Sequence, residues 1–233
     1  MIHVPKQEER RMSHAIHRRT ALAAALSVPA ATALAQAPGP QAFEPTAPGP
    51  DTPRPLPGER IIGRADAPVA VIEYHSLTCG NCANFHTTIF PRIRTAFIEP
   101  GLVRFVMRDF PLDRVALEAA AMVHCGGPER YEALISTLYA NKESWAHSAD
   151  ARTWLRRAGT VAGIPAARID ACMSDRGFTD QILLMRLQGE REFRVDATPS
   201  FVINGQLHRG VQSFERFSAL VRPLLPPGSA PRG

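Results

Sequence analysis

Apolar and polar positions along this chain fall into short blocks whose period changes from block to block. Val69-Ala70-Val71-Ile72-Glu73-Tyr74-His75 is apolar almost without a break, the pattern of a strand buried on both faces, and predicts a first strand over 68–75. From Asn84 to Ala96 the apolar stripe is Phe85, Ile89 and Ile93, which is helical spacing, and Pro91 should kink that helix. Leu102-Val103-Arg104-Phe105-Val106-Met107 predicts a second strand. Helical patterning then runs from Asp113 to about Phe193, with Gly126-Gly127-Pro128 and Gly163-Ile164-Pro165 as stop-and-start punctuation. Phe201-Val202-Ile203 and Gln206-Leu207-His208 flank Asn204-Gly205, a two-residue hairpin signal, and Ser213 caps a last helix ending near Val221. The order is therefore β–α–β, a helical stretch, then β–β–α.

Composition alters this picture mainly at the N-terminus. Residues 1–35 predict a signal peptide: a basic segment ending in Arg18-Arg19, a small-residue apolar run from Thr20 to Leu34, and an A-x-A cleavage signal at Ala33-Leu34-Ala35. The run falls short of the roughly 18 apolar residues of a membrane span, and an uncleaved leader that tethers the protein to the membrane is the alternative. Arg18-Arg19-Thr20-Ala21-Leu22 leaves both general and twin-arginine export open. Residues 36–58 hold prolines at 38, 40, 45, 48, 50, 53, 55 and 57 and predict an extended linker. Residues 59–225 are then one domain, with 226–233 as a tail. The first 35 residues carry five basic and two acidic side chains, so their removal takes the formal net charge from +5 to +2. No basic run with interleaved aromatics remains for nucleic acid.

All four cysteines, Cys79, Cys82, Cys125 and Cys172, lie beyond the leader, an even number suited to an oxidising compartment. Cys79-Gly80-Asn81-Cys82 follows the first strand and opens the first helix. A thiol at a helix N-terminus meets unpaired N–H groups and the positive end of the macrodipole, which favour the thiolate, the form that attacks disulfides. Cys79 is thus the candidate nucleophile and Cys82, one turn in, the resolving thiol. No second Cys-x-x-Cys or histidine pair completes a zinc set with Cys82 and His86, and Ala83 rather than His after Cys82 excludes haem attachment, so no metal or cofactor is expected. Glu73 is costly in so apolar a strand, and burial should raise its pKa; a carboxylate at the strand end that faces water or pairs with an arginine is the alternative. His75 sits next to the pair; His124, His147 and His208 read as surface or capping histidines, and Trp145 and Trp154 as core.

Three stretches in order, Glu73-Tyr74-His75-Ser76-Leu77-Thr78-Cys79-Gly80-Asn81-Cys82, Arg108-Asp109-Phe110-Pro111-Leu112 and Ala197-Thr198-Pro199-Ser200-Phe201-Val202-Ile203-Asn204-Gly205, resemble the DsbA-like family of exported thiol–disulfide oxidoreductases in the thioredoxin superfamily. The resemblance implies an α/β thioredoxin fold with an inserted all-helical domain at about 112–193. It implies a protein-dithiol oxidase that introduces disulfides into exported proteins in the periplasm and is reoxidised by a quinone-linked membrane partner; residues 36–58 are too short and proline-rich for the N-terminal dimerisation domain usual in related isomerases, which predicts a monomer. A disulfide isomerase or reductase and a non-catalytic peptide-binding chaperone are the alternatives. By the same resemblance Glu73 exchanges protons with Cys82, and Thr198-Pro199 is a cis bond whose backbone binds substrate. Gly80 and Asn81 tune the pair, and Asn81, where strongly oxidising members commonly have His, predicts a weaker oxidant. Cys125 and Cys172, both in the inserted helices, are expected to form a structural disulfide; two separate buried thiols are the alternative.

Overall fold

The computed structural model describes residues 60–229. The predicted leader and linker and the last four residues lie outside the described residues.

Five strands form one sheet in the order β1-β3-β2-β4-β5. Val69–His75 (β2) and Val103–Asp109 (β3) are parallel and in register from Val69↔Val103 to His75↔Asp109. Ser200–Ile203 (β4) runs antiparallel to β2 and Gln206–Arg209 (β5) antiparallel to β4. Asn204 and Gly205 both have positive φ, 49° and 73°, as the tight turn between β4 and β5 requires. Arg60–Ile62 (β1), antiparallel to β3 at the sheet edge, was not predicted, because three residues are too few to show an alternation. The second strand continues past Met107 to Asp109, since parallel pairing with β2 and ion pairing of Asp109 offset its burial.

Side-chain alternation along β2 sorts the core. Val69 and Val71 join Phe105, Phe201, Phe85 and Phe97 on one face, whereas Ile72 and Tyr74 join Val106, Phe110 and Val202 on the other. Glu73 and His75 share the register of Val69 and Val71, so they lie on the face that carries the first helix.

That helix starts and ends outside the predicted limits. It begins at Gly80–Asn84 (α1), with Cys79 as N-cap, passes through a π turn at Phe85–Ile89, continues as Phe90–Ile93 (α2), and closes with a second π turn at Arg94–Ile98. Proline at 91 has no N–H for the Thr87 carbonyl and its ring would crowd it; the π turn immediately before is where the helix absorbs this.

Helices Arg114–Cys125 (α3), Pro128–Ala140 (α4), Lys142–Trp145 (α5), Ala151–Val161 (α6), Ala166–Ser174 (α7) and Arg176–Phe193 (α8) make up the helical stretch between β3 and β4. Its buried side chains, Leu138, Trp145 and Ile169 among them, continue the core on the Val71 and Phe105 face of the sheet, with Trp145 fully buried and stacked on Trp154. Helix α8 returns to the sheet so closely that a Cβ on Gly189 would lie 2.5 Å from the Tyr74 ring. Phe214–Val221 (α9), capped by the Ser213 hydroxyl, packs Phe217 against Phe97. Among the described residues no helix is long and apolar enough to cross a membrane.

Candidate active site

Cys79 sits where β2 hands over to the helix. The connecting turn is tied down by its own polar groups: the Cys79 N–H donates to the Ser76 carbonyl at 3.1 Å, and the Thr78 hydroxyl donates to Asp113 at 2.7 Å. The other oxygen of Asp113 caps α3 through the Ala116 N–H. The position of Cys79 is thereby coupled to the start of the helical stretch.

Cys79 is half-buried and Cys82 wholly buried, and both are free thiols. The Cys79 thiol is pushed down to about 5. A hydrogen bond from the Cys82 thiol is the largest cause; burial opposes it, and the Thr198 side chain and the N–H groups of Cys82 and Asn81 add to it. The Cys82 thiol is pushed well up, first by burial, then by its bond to Cys79 and by the charges of Glu73 and Cys79. One sulfur is thus prepared to be an anion and the other to hold its proton. The helix dipole by itself supplies only about 0.3–1 kcal/mol in ordinary settings; converging donors do the rest. Asn81 is exposed and acts on the sulfur through its backbone N–H, while Gly80 is the exposed residue between them.

The Thr198–Pro199 bond is cis and brings the Thr198 carbonyl to 3.3 Å from Cys79 Sγ, within reach of its S–H. Thr198 Oγ1 is buried and has no hydrogen-bond partner among the described residues. In the thiol form the carbonyl accepts from sulfur; in the thiolate form the hydroxyl is free to donate to it. Gly210 N–H holds the Pro199 carbonyl at 2.8 Å, which fixes the loop against β5.

Glu73 is completely buried, and its Oε2 lies 2.8 Å from His86 Nε2. Sequence reasoning considered His86 only as a metal ligand. The signal available was its spacing, four residues after Cys82 and so on the same helical face. His124 is not on the surface as predicted: it is buried, with Nε2 2.5 Å from Asp109 Oδ2, because the polar end of β3 needs a partner on α3. His75 is buried too and pairs with the Tyr139 hydroxyl at 2.8 Å, out of reach of any substrate. His147 is exposed and His208 partly buried. Lys142, invisible to sequence reasoning, brings its Nζ to 3.7 Å from where a Gly80 Cβ would stand. Cys125 and Cys172 are bridged, joining the end of α3 to α7. Among the described residues no group of three or more His, Cys, Asp or Glu side chains could hold a metal ion.

A family model described as thioredoxin matches residues 56–222. The chain is a DsbA-like member of the thioredoxin superfamily. Alpha-DsbA1 of Wolbachia pipientis is similar in structure, with a TM-score of 0.68 and 28% identity over 73% of this chain and 92% of that one. Oxidised BdbD of Bacillus subtilis shares the fold at a TM-score of 0.65 and 18% identity, covering 73% and 94% of the two chains. A Rickettsia felis protein named "Putative protein-disulfide oxidoreductase" is 27% identical over 168 residues, 72% of this chain and 60% of the relative. This DsbA-like chain therefore spans less than two thirds of the length of that curated relative.

Proposed function

We propose that the protein is a thiol–disulfide oxidoreductase working as a protein-dithiol oxidase on exported proteins. The observation that carries this reading is the asymmetry of the two sulfurs: Cys79 is accessible, lowered to about 5 and set against the cis Thr198-Pro199 segment, while Cys82 is buried and raised. A substrate thiolate attacks Cys79 Sγ of the oxidised pair, breaking the Cys79–Cys82 bond; Cys82 leaves and takes up a proton. The second substrate thiolate then attacks its own sulfur in the mixed disulfide, the substrate gains a disulfide, and Cys79 departs as the stabilised thiolate. A low Cys79 pKa favours the reduced enzyme and so drives the reaction in this direction. Residues 59–225 are the catalytic domain, with 112–193 as its helical insertion, and the protein acts as a monomer. Its partners are reduced exported proteins and, by likeness to DsbA-like relatives, a quinone-linked membrane reoxidant; the periplasm, reached through the leader, is where it works.

Equilibration of the Cys79–Cys82 pair with glutathione tests the direction. The pair should lie on the oxidising side of the glutathione couple, and its midpoint should fall by about 30 mV per pH unit above pH about 5, where one proton accompanies two electrons, and by about 59 mV below it. A pair more reducing than glutathione would replace the oxidase with a reductase. Asn81→His should move the equilibrium towards the dithiol by on the order of tenfold, about 30 mV, by adding an imidazolium beside the thiolate. An unchanged constant would remove position 81 from the tuning of the pair.

Pro199→Ala should leave mixed disulfides on Cys79 that the wild type releases. Without the pyrrolidine ring the 198–199 backbone facing Cys79 is no longer held at a fixed φ, which slows resolution by the incoming thiol. Non-reducing electrophoresis after incubation with a reduced cysteine-containing protein would show the accumulated adducts. Release as fast as in the wild type would count against a substrate-binding role.

A further inference from the structure

Each catalytic cycle changes the protonation of Cys82, yet Cys82 is fully buried behind Cys79, the residue the substrate joins. Its proton needs a route that does not pass the substrate. Glu73 lies on the sheet face that carries α1, its charge bears on the Cys82 thiol, and its Oε1 is buried with no hydrogen-bond partner among the described residues. The second oxygen is 2.8 Å from His86 Nε2. Cys82 and His86 are one turn apart on the helical run, so both address the same side.

His86 also reaches a second environment. A cleft of about 240 Å³, open to solvent, is lined by His86, Phe90, Arg94, Glu132 and Ile135. None of Cys79, Thr198 or Pro199 lines it. Arg94 and Glu132 pair at its wall, so it holds no unbalanced charge from these two groups. Tyr139 stacks on the His86 ring at 4.7 Å and 14°, which fixes the ring plane between Glu73 and the cleft.

We propose that His86 is the proton relay between solvent in this cleft and Glu73, so that Cys82 gains and loses its proton by a route that does not pass the Cys79 and Thr198-Pro199 surface. When the substrate thiolate opens the disulfide, a proton passes from the cleft through His86 and Glu73 to the Cys82 thiolate. When Cys82 attacks a mixed disulfide the same proton runs outward: the Cys82–Cys79 bond forms, the Cys79–substrate bond breaks, and the substrate sulfur leaves with the electron pair. The neighbouring His75 does not serve. It is buried, desolvation lowers its pKa, its Nδ1 is occupied by Tyr139, its charged neighbour Asp109 is already paired with His124, and it does not line the cleft. His86 is a positioning residue acting through Glu73, not one that touches the sulfurs.

The inference rests on the thiol–disulfide reading, and the experiment separates the two. Rapid-mixing reduction of the oxidised full-length protein by a dithiol peptide is followed in wild type, His86→Ala, His86→Gln and His86→Ala/Glu73→Gln. Both single variants should react about tenfold more slowly or worse, within the range general acid–base groups supply. Added imidazole, which can occupy the space vacated in the cleft, should restore His86→Ala in proportion to its concentration but leave the double variant slow. A His86→Gln protein as fast as wild type, or a His86→Ala deficit indifferent to imidazole, overturns the relay. Should His86→Ala not fold, the His86→Gln rate alone decides. If the wild type itself fails to react with the peptide, the oxidoreductase reading has failed; if it reacts and the variants match it, only the relay has.

Discussion

Cys79→Ser is expected to lower exchange with peptide thiols by on the order of a thousandfold or more, with the fold intact. Serine fits where the sulfur stands, half-buried at the helix start, but its hydroxyl cannot form or break a disulfide. The same substitution should remove a thiolate absorbance that, in the reduced wild type, disappears as the pH is lowered through about 5. The sign of the accompanying stability change follows from the direction of the shift. Cys79 titrates at about 5 when folded and near its ordinary value of 9.0 when unfolded. Its contribution to the reduced fold is therefore complete above about 9, shrinks as pH falls across that window, and is gone below about 5. Reduced wild type should gain stability over reduced Cys79→Ser as pH rises from 5 to 9. Denaturant midpoints of the two proteins across that range measure it, and parallel curves, or a thiolate titrating near 9, would contradict the nucleophile assignment.

What could be seen in the sequence was what depends on period and punctuation. Val69–His75 announced itself by apolarity broken only by Glu73 before its last residues, Asn204-Gly205 by turn chemistry, and Cys79 by its place between strand and helix. These are local signals, and local geometry satisfied them. The Glu73 anomaly was legible as an acid in an apolar strand, whereas its partner was not: His86 lies on a different element, and only the packing of helix on sheet joins them. The burial of His124 and Asp109 escaped for the same reason, since the ion pair spans β3 and α3. The contribution of Thr198 to the lowered Cys79 pKa left no local pattern, because it comes from a residue more than a hundred positions away. The π turns left no trace in the apolar stripe, because one extra residue per turn shifts a short helix face too little to break the pattern.

Removing the Cys125–Cys172 bridge should cost the fold about 4 kcal/mol by the chain-entropy model, within the range of about 2–5 kcal/mol usual for native disulfides. The closed loop spans a separation of 47 residues, so the unfolded chain loses much freedom when it is bridged. Cys125 ends α3 and is buried, and Cys172 lies in α7, so the bond staples two helices of the inserted stretch. At roughly 2–4 °C per kcal/mol for a domain of this size, the Cys125→Ala/Cys172→Ala protein should melt about 8–16 °C below wild type. The effect on chemistry should be much smaller. Asp113, at the opposite end of α3, anchors the Thr78 turn beside Cys79 by a side-chain hydrogen bond that the bridge does not touch. The double variant should thus keep a Cys79 titration near 5 at room temperature while losing thermal stability. Thiol counting checks the premise independently: fully oxidised wild type should expose no reactive thiol after unfolding, and two would show that Cys125 and Cys172 are not joined. A variant that melts like wild type would place the stability of the insertion in its apolar contacts, with Trp145 on Trp154 foremost among them.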